Sequence, residues 1–132
     1  MIFVDTNYWL RFLIGDNTKQ QAEAKQLFRQ GAEGKVKLFS SLVVFLEIYW
    51  VMSSFYGKNK PEIIKILEDV LRLDFVKWEN EKLLRMTLAM FIHTGLDLED
   101  SYNLIYAGRM KAKKFKTFDL KLIREFDKKA GV

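Results

Sequence analysis

The chain has 132 residues, of which 49% are hydrophobic and 30% are charged, with one proline and seven glycines. This length and composition predict one folded domain over residues 1–132 and argue against disorder. The absence of cysteine excludes disulfides, thiolate zinc sites and cysteine nucleophiles, and fits a reducing cytoplasm. The longest apolar run, residues 42–52, contains Glu47 and is shorter than the roughly 20 residues that span a membrane. We therefore expect a soluble, cytoplasmic protein without a membrane partner.

The net charge of +5 is concentrated in the last part of the chain. Residues 109–132 carry nine Lys or Arg and three Asp or Glu, whereas residues 1–108 carry thirteen and fourteen. This local excess suits a polyanion such as nucleic acid, although a solvated helix face would explain it equally well. The candidate RNA-binding residues are Lys111, Lys113, Lys114, Lys116 and Lys121.

Short apolar strands alternate with helices in the first half of the chain. The first strand, residues 1–4, stops at Asp5, and residues 8–14 are too apolar for an exposed helix. A largely exposed helix follows, from an N-cap at Thr18 to about residue 30, and residues 36–39 form a second strand. Ser40 and Ser41 offer an N-cap for a buried helix over residues 42–55.

The same alternation continues in the second half. Pro61 suits the first turn of a helix, and residues 74–76 form a short third strand. Helices are predicted over residues 79–93, from Asp97 onward, and from Asp119 to about residue 129, with a fourth strand at residues 115–118. This pattern predicts an α/β fold with a mainly parallel sheet, whose strands all end along one edge.

Four acidic residues occupy positions where such a sheet collects ligands. Asp5 and Asp119 directly follow strands, Glu47 lies in the helix after the second strand, and Asp100 lies one turn after Asp97. Asp5 and Asp119 could instead be N-caps worth ~1 kcal/mol each, and Asp97 with Asp100 resembles a shortened capping box. Glu47 lies beyond the first turn of an apolar helix, where an unpaired buried carboxylate is costly. It therefore either points to solvent or faces a cation.

Converging carboxylates repel one another unless a divalent ion balances them. Oxygen ligands without His or Cys favour Mg²⁺, with Mn²⁺ as a substitute, and such a site suits phosphoryl transfer to water. The single histidine, His93, lies in an apolar helix and is more typical of a packing or surface residue than of a general base. No glycine-rich phosphate loop is present.

Taken together, these motifs resemble the PIN domain family and, within it, the small VapC-like toxins of prokaryotic toxin–antitoxin pairs. The resemblance lies in four stretches in order: Ile2–Asn7, Glu47 after two serines, Asp97–Asp100 at a helix start, and Thr117–Asp119. It implies a three-layer α/β/α sandwich with a central, mainly parallel sheet of four or five strands. One departure is Ser101, where the family usually has alanine after its third acid.

The resemblance also implies a Mg²⁺-dependent endoribonuclease that acts on RNA. The implied acidic pocket is formed by Asp5, Glu47, Asp100 and Asp119, of which Asp5 and Asp100 would bind the metal directly. Thr6, Asn7 and Thr117 match positions that support the pocket by hydrogen bonds. Homodimers and an antitoxin whose C-terminal segment covers the groove near the active site are the implied partners.

Two other functions remain open from the sequence. A non-catalytic RNA-binding or assembly module could keep the fold and even the metal, although it would have no need of Glu47. A receiver-like domain could accept a phosphoryl group, but Asp119 and Lys121 imitate its acceptor and lysine poorly.

Overall fold

The computed structural model describes residues 1–130; residues 131 and 132, the last two of the predicted domain, lie outside it. Within that range the chain forms three strands and seven helices. In chain order they are β1 (Ile2–Phe3), α1 (Thr6–Leu13), α2 (Thr18–Ala32), β2 (Leu38–Ser40), α3 (Leu42–Ser54), α4 (Lys60–Arg72), β3 (Val76–Trp78), α5 (Glu81–His93), α6 (Leu98–Arg109) and α7 (Leu120–Ala130).

The chain divides into two compact units, an N-terminal unit of residues 1–81 and a C-terminal unit that begins at residue 82. The sheet lies in the N-terminal unit. Its three strands are parallel in the order β1-β2-β3, with Ile2 opposite Leu38 and Leu38 opposite Val76. The prediction of a parallel sheet is thus confirmed. Because the strands are parallel, Asp5 after β1 and the start of α3 after β2 lie along the same edge of the sheet.

The predicted fourth strand at residues 115–118 is wrong, since this stretch has no regular secondary structure. The described residues therefore contain three strands rather than the expected four or five. Phe115 and Thr117 are half-buried and Lys116 and Phe118 are exposed, an alternation that imitates a strand. Phe115 packs instead against Phe126 of α7, with ring centroids 5.5 Å apart. Alternating burial does not make a strand without the backbone hydrogen bonds of a neighbour.

An aromatic cluster forms the centre of the N-terminal unit. Trp9 of α1 stacks on Trp78 of β3 with ring centroids 5.3 Å apart, and Phe28 of α2 lies 4.7 Å from Trp9. Phe45 of α3 meets the other side of Trp78 edge-on at 5.6 Å. The prediction that the helix after Asp5 is too apolar to be exposed is explained by Trp9 and Leu10, which are both buried.

The helix boundaries follow local capping chemistry. The side chain of Ser41 accepts a hydrogen bond from the Val44 N–H at 3.2 Å, as predicted for the start of α3. Asn17, and not Thr18, caps α2, because its Oδ1 accepts from the Gln20 N–H at 3.0 Å. Pro61 lies in the first turn of α4, between Asn59 and Glu62, which together form a capping box.

Helices α6 and α7 enclose a small core in the C-terminal unit. Leu96, Leu104, Leu122 and Phe126 are buried together there, with Ala107 and Phe115 packed against them. The amphipathic pattern predicted for the final helix is therefore confirmed. No helix within residues 1–130 combines the length and apolar character needed to cross a membrane.

Candidate active site

Asp5 occupies the N-cap position of α1, immediately after the buried Val4. The backbone carbonyl of Asp5 accepts hydrogen bonds from the N–H groups of Tyr8 and Trp9, as an N-cap residue should. Its carboxylate, in contrast, makes no capping hydrogen bond to the described residues and is exposed at the edge of the sheet. Capping therefore explains the backbone hydrogen bonds of Asp5 but does not explain why its side chain is a carboxylate.

Glu47 is linked to the residue next to Asp5. The hydroxyl of Thr6, which is buried, donates a hydrogen bond to Glu47 Oε1 at 3.0 Å. This bond ties the first turn of α1 to the middle of α3. It fixes one oxygen of the Glu47 carboxylate, which is the contact that an orienting role for Thr6 requires.

Helix α3 was predicted to be buried, but one of its faces is exposed. Val43 and Trp50 are 64% and 58% exposed, and Glu47 lies between them on the same exposed face. Of the two alternatives for Glu47, the structure thus selects the one that points to solvent. Its carboxylate is hydrated, so burial alone does not require a cation beside it. What singles out Glu47 is its hydrogen bond to Thr6.

Asp97 is the N-cap of α6, as the spacing indicates. Its Oδ1 accepts a hydrogen bond from the Asp100 N–H at 2.7 Å, while its carbonyl accepts one from the Ser101 hydroxyl at 2.7 Å. Ser101 is buried, and this bond satisfies its hydroxyl. Asp100 contributes its backbone N–H to this cap, and no capping hydrogen bond to its carboxylate is observed among the described residues.

Asp119 also caps a helix, as the alternative interpretation predicted. Its Oδ1 accepts hydrogen bonds from the backbone N–H groups of Lys121 at 2.9 Å and Leu122 at 3.3 Å, at the start of α7. The Thr117 hydroxyl accepts a hydrogen bond from the Asp119 N–H at 3.1 Å, which fits the expected supporting role of Thr117. Both contacts hold Asp119 in place and leave its Oδ2 for a further ligand.

The acids of the C-terminal unit repel one another. Partial burial raises the pKa of the Asp100 carboxyl, and the negative charges of Asp97 and Asp119 raise it further. Partial burial likewise raises the pKa of Glu99, followed by the charges of Asp97 and Asp100. The ionised forms are therefore disfavoured, and a bound cation would relieve this repulsion.

The predicted basic residues are all exposed, so each is accessible to a polyanion: Lys111, Lys113, Lys114, Lys116 and Lys121. Lys121 also donates a hydrogen bond from Nζ to the Gly95 carbonyl at 2.8 Å. Phe118, next to Asp119, is fully exposed, and Met110 is 66% exposed. The sequence analysis assigned Phe118 to a strand and did not consider it as a contact for RNA. Its place between Lys116 and Lys121, an aromatic residue among basic ones, is the feature that could have indicated such a contact.

In neither unit do three or more His, Asp or Glu side chains of the described residues gather closely enough to hold a metal by themselves. The donors present nevertheless fit Mg²⁺. They are carboxylate oxygens, and a cation would offset both the partial burial that raises the pKa of Asp100 and the smaller contributions of Asp97 and Asp119. Mg²⁺ usually keeps several waters and uses only one or two protein carboxylates.

The comparisons with known proteins add one match. A family model described as PIN domain matches residues 2–129, which is nearly the whole chain. The search of the curated proteins found no protein that matches.

Proposed function

The chain belongs to the PIN domain family, whose members are generally nucleases, and we propose that it is a Mg²⁺-dependent endoribonuclease and the toxin of a type II toxin–antitoxin pair. Residues 1–132 act in this proposal as one nuclease domain. The observation that carries it is the position of Asp5, two residues after β1 and at the N-cap of α1, with a carboxylate that makes no capping hydrogen bond to the described residues. An acid kept at a sheet edge without a structural task is typical of a ligand site.

The proposal assigns the same roles to the acids as the resemblance implies. Asp5 and Asp100 bind Mg²⁺ directly, and Glu47 and Asp119 complete the site directly or through waters. When bound, the metal lowers the pKa of a water molecule and balances charge on the leaving oxygen. The Thr6 hydroxyl orients Glu47, and the Asp97 cap fixes the backbone of Asp100.

RNA binding is assigned to the basic, aromatic surface of the C-terminal unit. Exposed lysines on either side of Asp119 suit phosphates, and their contribution should fall steeply with salt concentration. Phe118 offers an exposed ring on which an unpaired base can stack. A single-stranded RNA is therefore a better match to this surface than a rigid duplex.

Protein partners are assigned to the exposed face of α3. Val43 and Trp50 on this face expose 64% and 58% of their surfaces, and Phe55, which directly follows α3, exposes 76%, although large apolar side chains favour burial. An apolar face of this kind supports a homodimer or a bound antitoxin segment. The absence of cysteine in the chain supports a cytoplasmic location for the protein, where it would meet these partners.

The proposed activity is tested by incubating the purified protein with a labelled single-stranded RNA in Mg²⁺, in Mn²⁺ and in EDTA. We expect internal cleavage with either metal and none in EDTA. The control is a mock preparation from cells without the protein, which exposes contaminating ribonuclease. Undiminished cleavage in EDTA would overturn the proposal. RNA binding without cleavage in either metal would support the alternative of a non-catalytic module.

Thr6→Val tests the link between α1 and α3. The substitution removes the hydroxyl that donates to Glu47 Oε1 and keeps a branched side chain at a buried position. Loss of a residue that orients an acid near a metal should lower kcat by about 10–100-fold, with KM for RNA nearly unchanged. Thr6→Ser keeps the hydroxyl and should restore most of kcat. Equal kcat for Thr6→Val and the wild type would contradict a positioning role.

A further inference from the structure

A polar cleft of about 230 Å³ opens between α1 and α2 in the N-terminal unit. Its five lining residues are all polar and combine donors, acceptors and one aromatic ring: Asn7, Tyr8, Arg11, Gln20 and Glu23. Asn7 and Arg11 are one turn apart on α1, and Gln20 and Glu23 are three residues apart on α2. The two helices thus turn polar faces toward the same space.

The guanidinium of Arg11 is held in a fixed orientation. Its Nε donates to Gln20 Oε1 at 2.6 Å, and its Nη1 donates to Asp16 Oδ1 at 3.3 Å. Asp16 is itself held by the Tyr56 hydroxyl, which donates to Oδ2 at 3.0 Å. A guanidinium has five donors, so Arg11 still presents N–H groups to a ligand after these bonds are made.

The Glu23 carboxylate is the acceptor of the same cleft. Partial burial raises the pKa of the Tyr8 hydroxyl, and the charge of Glu23 and a hydrogen bond to it raise that pKa further. Tyr8 therefore stays protonated at neutral pH and donates to Glu23. A carboxylate has two acceptor oxygens, so Glu23 can hold Tyr8 and still accept a hydrogen bond from a ligand in the cleft that it lines.

We propose that this cleft binds an unpaired guanine base of the RNA substrate. Arg11 donates to guanine O6 and N7, and Glu23 accepts from guanine N1–H and the N2 amino group, while the ring of Tyr8 offers a surface for stacking. Arginine paired with guanine O6 and N7 is the commonest specific contact to a base. Unpaired bases in RNA are read on their Watson–Crick and Hoogsteen edges in this manner.

The other bases match these groups less well. Adenine has an acceptor at N1, which would face the Glu23 carboxylate, and a donor at N6, which would face Arg11. Cytosine and uracil lack the N7 acceptor of a purine. A fixed cation and a fixed anion in one cleft therefore discriminate by leaving the wrong base with unpaired or repelling groups.

The position of the cleft suits a substrate subsite. Asn7 lines the cleft and lies two residues from Asp5, in the first turn of α1. A base held there would fix the register of the RNA relative to Asp5. This inference rests on the proposed nuclease function, and it adds the base by which the substrate is selected.

The test measures binding of the full-length protein to three labelled RNA pentamers in EDTA, where no cleavage is expected. The pentamers are uridine chains with guanosine, adenosine or inosine at the centre. We expect about tenfold tighter binding of the guanosine pentamer than of the adenosine one, with inosine, which lacks the N2 amino group, between them. Glu23→Gln should remove most of this preference, and Glu68→Gln on the exposed face of α4 should keep it.

The outcomes separate the cleft from the catalytic proposal. Equal affinity for guanosine and adenosine pentamers, or no measurable binding of either, would overturn the cleft assignment. A preference that survives Glu23→Gln unchanged would also overturn it, and in both cases a protein segment becomes the better occupant. A guanine preference without Mg²⁺-dependent cleavage would keep the cleft and overturn the nuclease function.

Discussion

Replacing Asp100 by Asn is expected to reduce RNA cleavage by about a hundredfold to a thousandfold and to raise the melting temperature of the metal-free protein. The loss of activity follows from removing a proposed Mg²⁺ ligand. The gain in stability follows from removing a charge that Asp97 and Asp119 repel. An acid in the first turn of a helix is normally favoured by the helix dipole, but the raised pKa of Asp100 shows that burial and repulsion outweigh that benefit.

The sign of the pH dependence follows from the same pKa. Because the pKa of Asp100 is raised in the folded state, the folded protein binds its proton more tightly than the unfolded chain does. The free energy of unfolding should therefore fall as the pH rises from the ordinary aspartate range through the raised pKa. In Asp100→Asn this part of the pH dependence should disappear.

The measurement is thermal unfolding in EDTA between acidic and neutral pH, beside RNA cleavage at neutral pH with Mg²⁺. The matched control is Asp127→Asn, which makes the same change at an exposed position of α7. We expect this control to leave both cleavage and the pH slope close to those of the wild type. A lower melting temperature for Asp100→Asn across the whole pH range would contradict the repulsion argument.

Much of the candidate site follows from the order of residues along the chain. The strand that precedes Asp5 and the helix start at Asp97 are local features, since each depends on a few neighbouring residues, whereas the strand predicted before Asp119 is absent. The caps at Asp97 and Asp119 were predicted for the same reason, and both are observed. These local features carry the family resemblance as well.

The exposure of Glu47 could not be predicted from its own helix. Because its near neighbours on α3 are apolar, the sequence left open whether Glu47 points to solvent or faces a cation, and the exposure of Val43 and Trp50 on the same face decides for solvent. Which face of an apolar helix is covered depends on the other elements that pack against it. The hydrogen bond from Thr6, 41 residues away along the chain, is likewise a product of the fold.

The polar cleft between α1 and α2 shows the same limit for a second pair of elements. Arg11 and Glu23 belong to separate helices with unremarkable amphipathic patterns, and neither residue forms a motif. Only the packing of α1 against α2 brings a cation, an anion and two amides to one space. A binding site built from two helices is therefore seen in the structure, but it cannot be recognised from the sequence of either helix alone.

Replacing Trp9 by Ala is expected to lower the free energy of unfolding by about 3–5 kcal/mol. Trp9 is fully buried and touches both Trp78 and Phe28, so truncation leaves a cavity at the centre of the aromatic cluster. Marginal stability of about 5–15 kcal/mol for a typical domain makes this a large fraction of the total. Urea unfolding followed by far-ultraviolet circular dichroism measures the change.

Trp9→Phe is the matched control, because it keeps an aromatic ring and removes only the larger indole. The indole Nε1–H is buried without a hydrogen-bond partner among the described residues. Leaving such a donor unpaired costs about 1–3 kcal/mol, so its removal offsets part of the packing lost on going to Phe. The loss for Trp9→Phe should therefore be well below that for Trp9→Ala. Equal losses for the two variants would contradict a stabilising role for the aromatic ring that Trp9→Phe keeps.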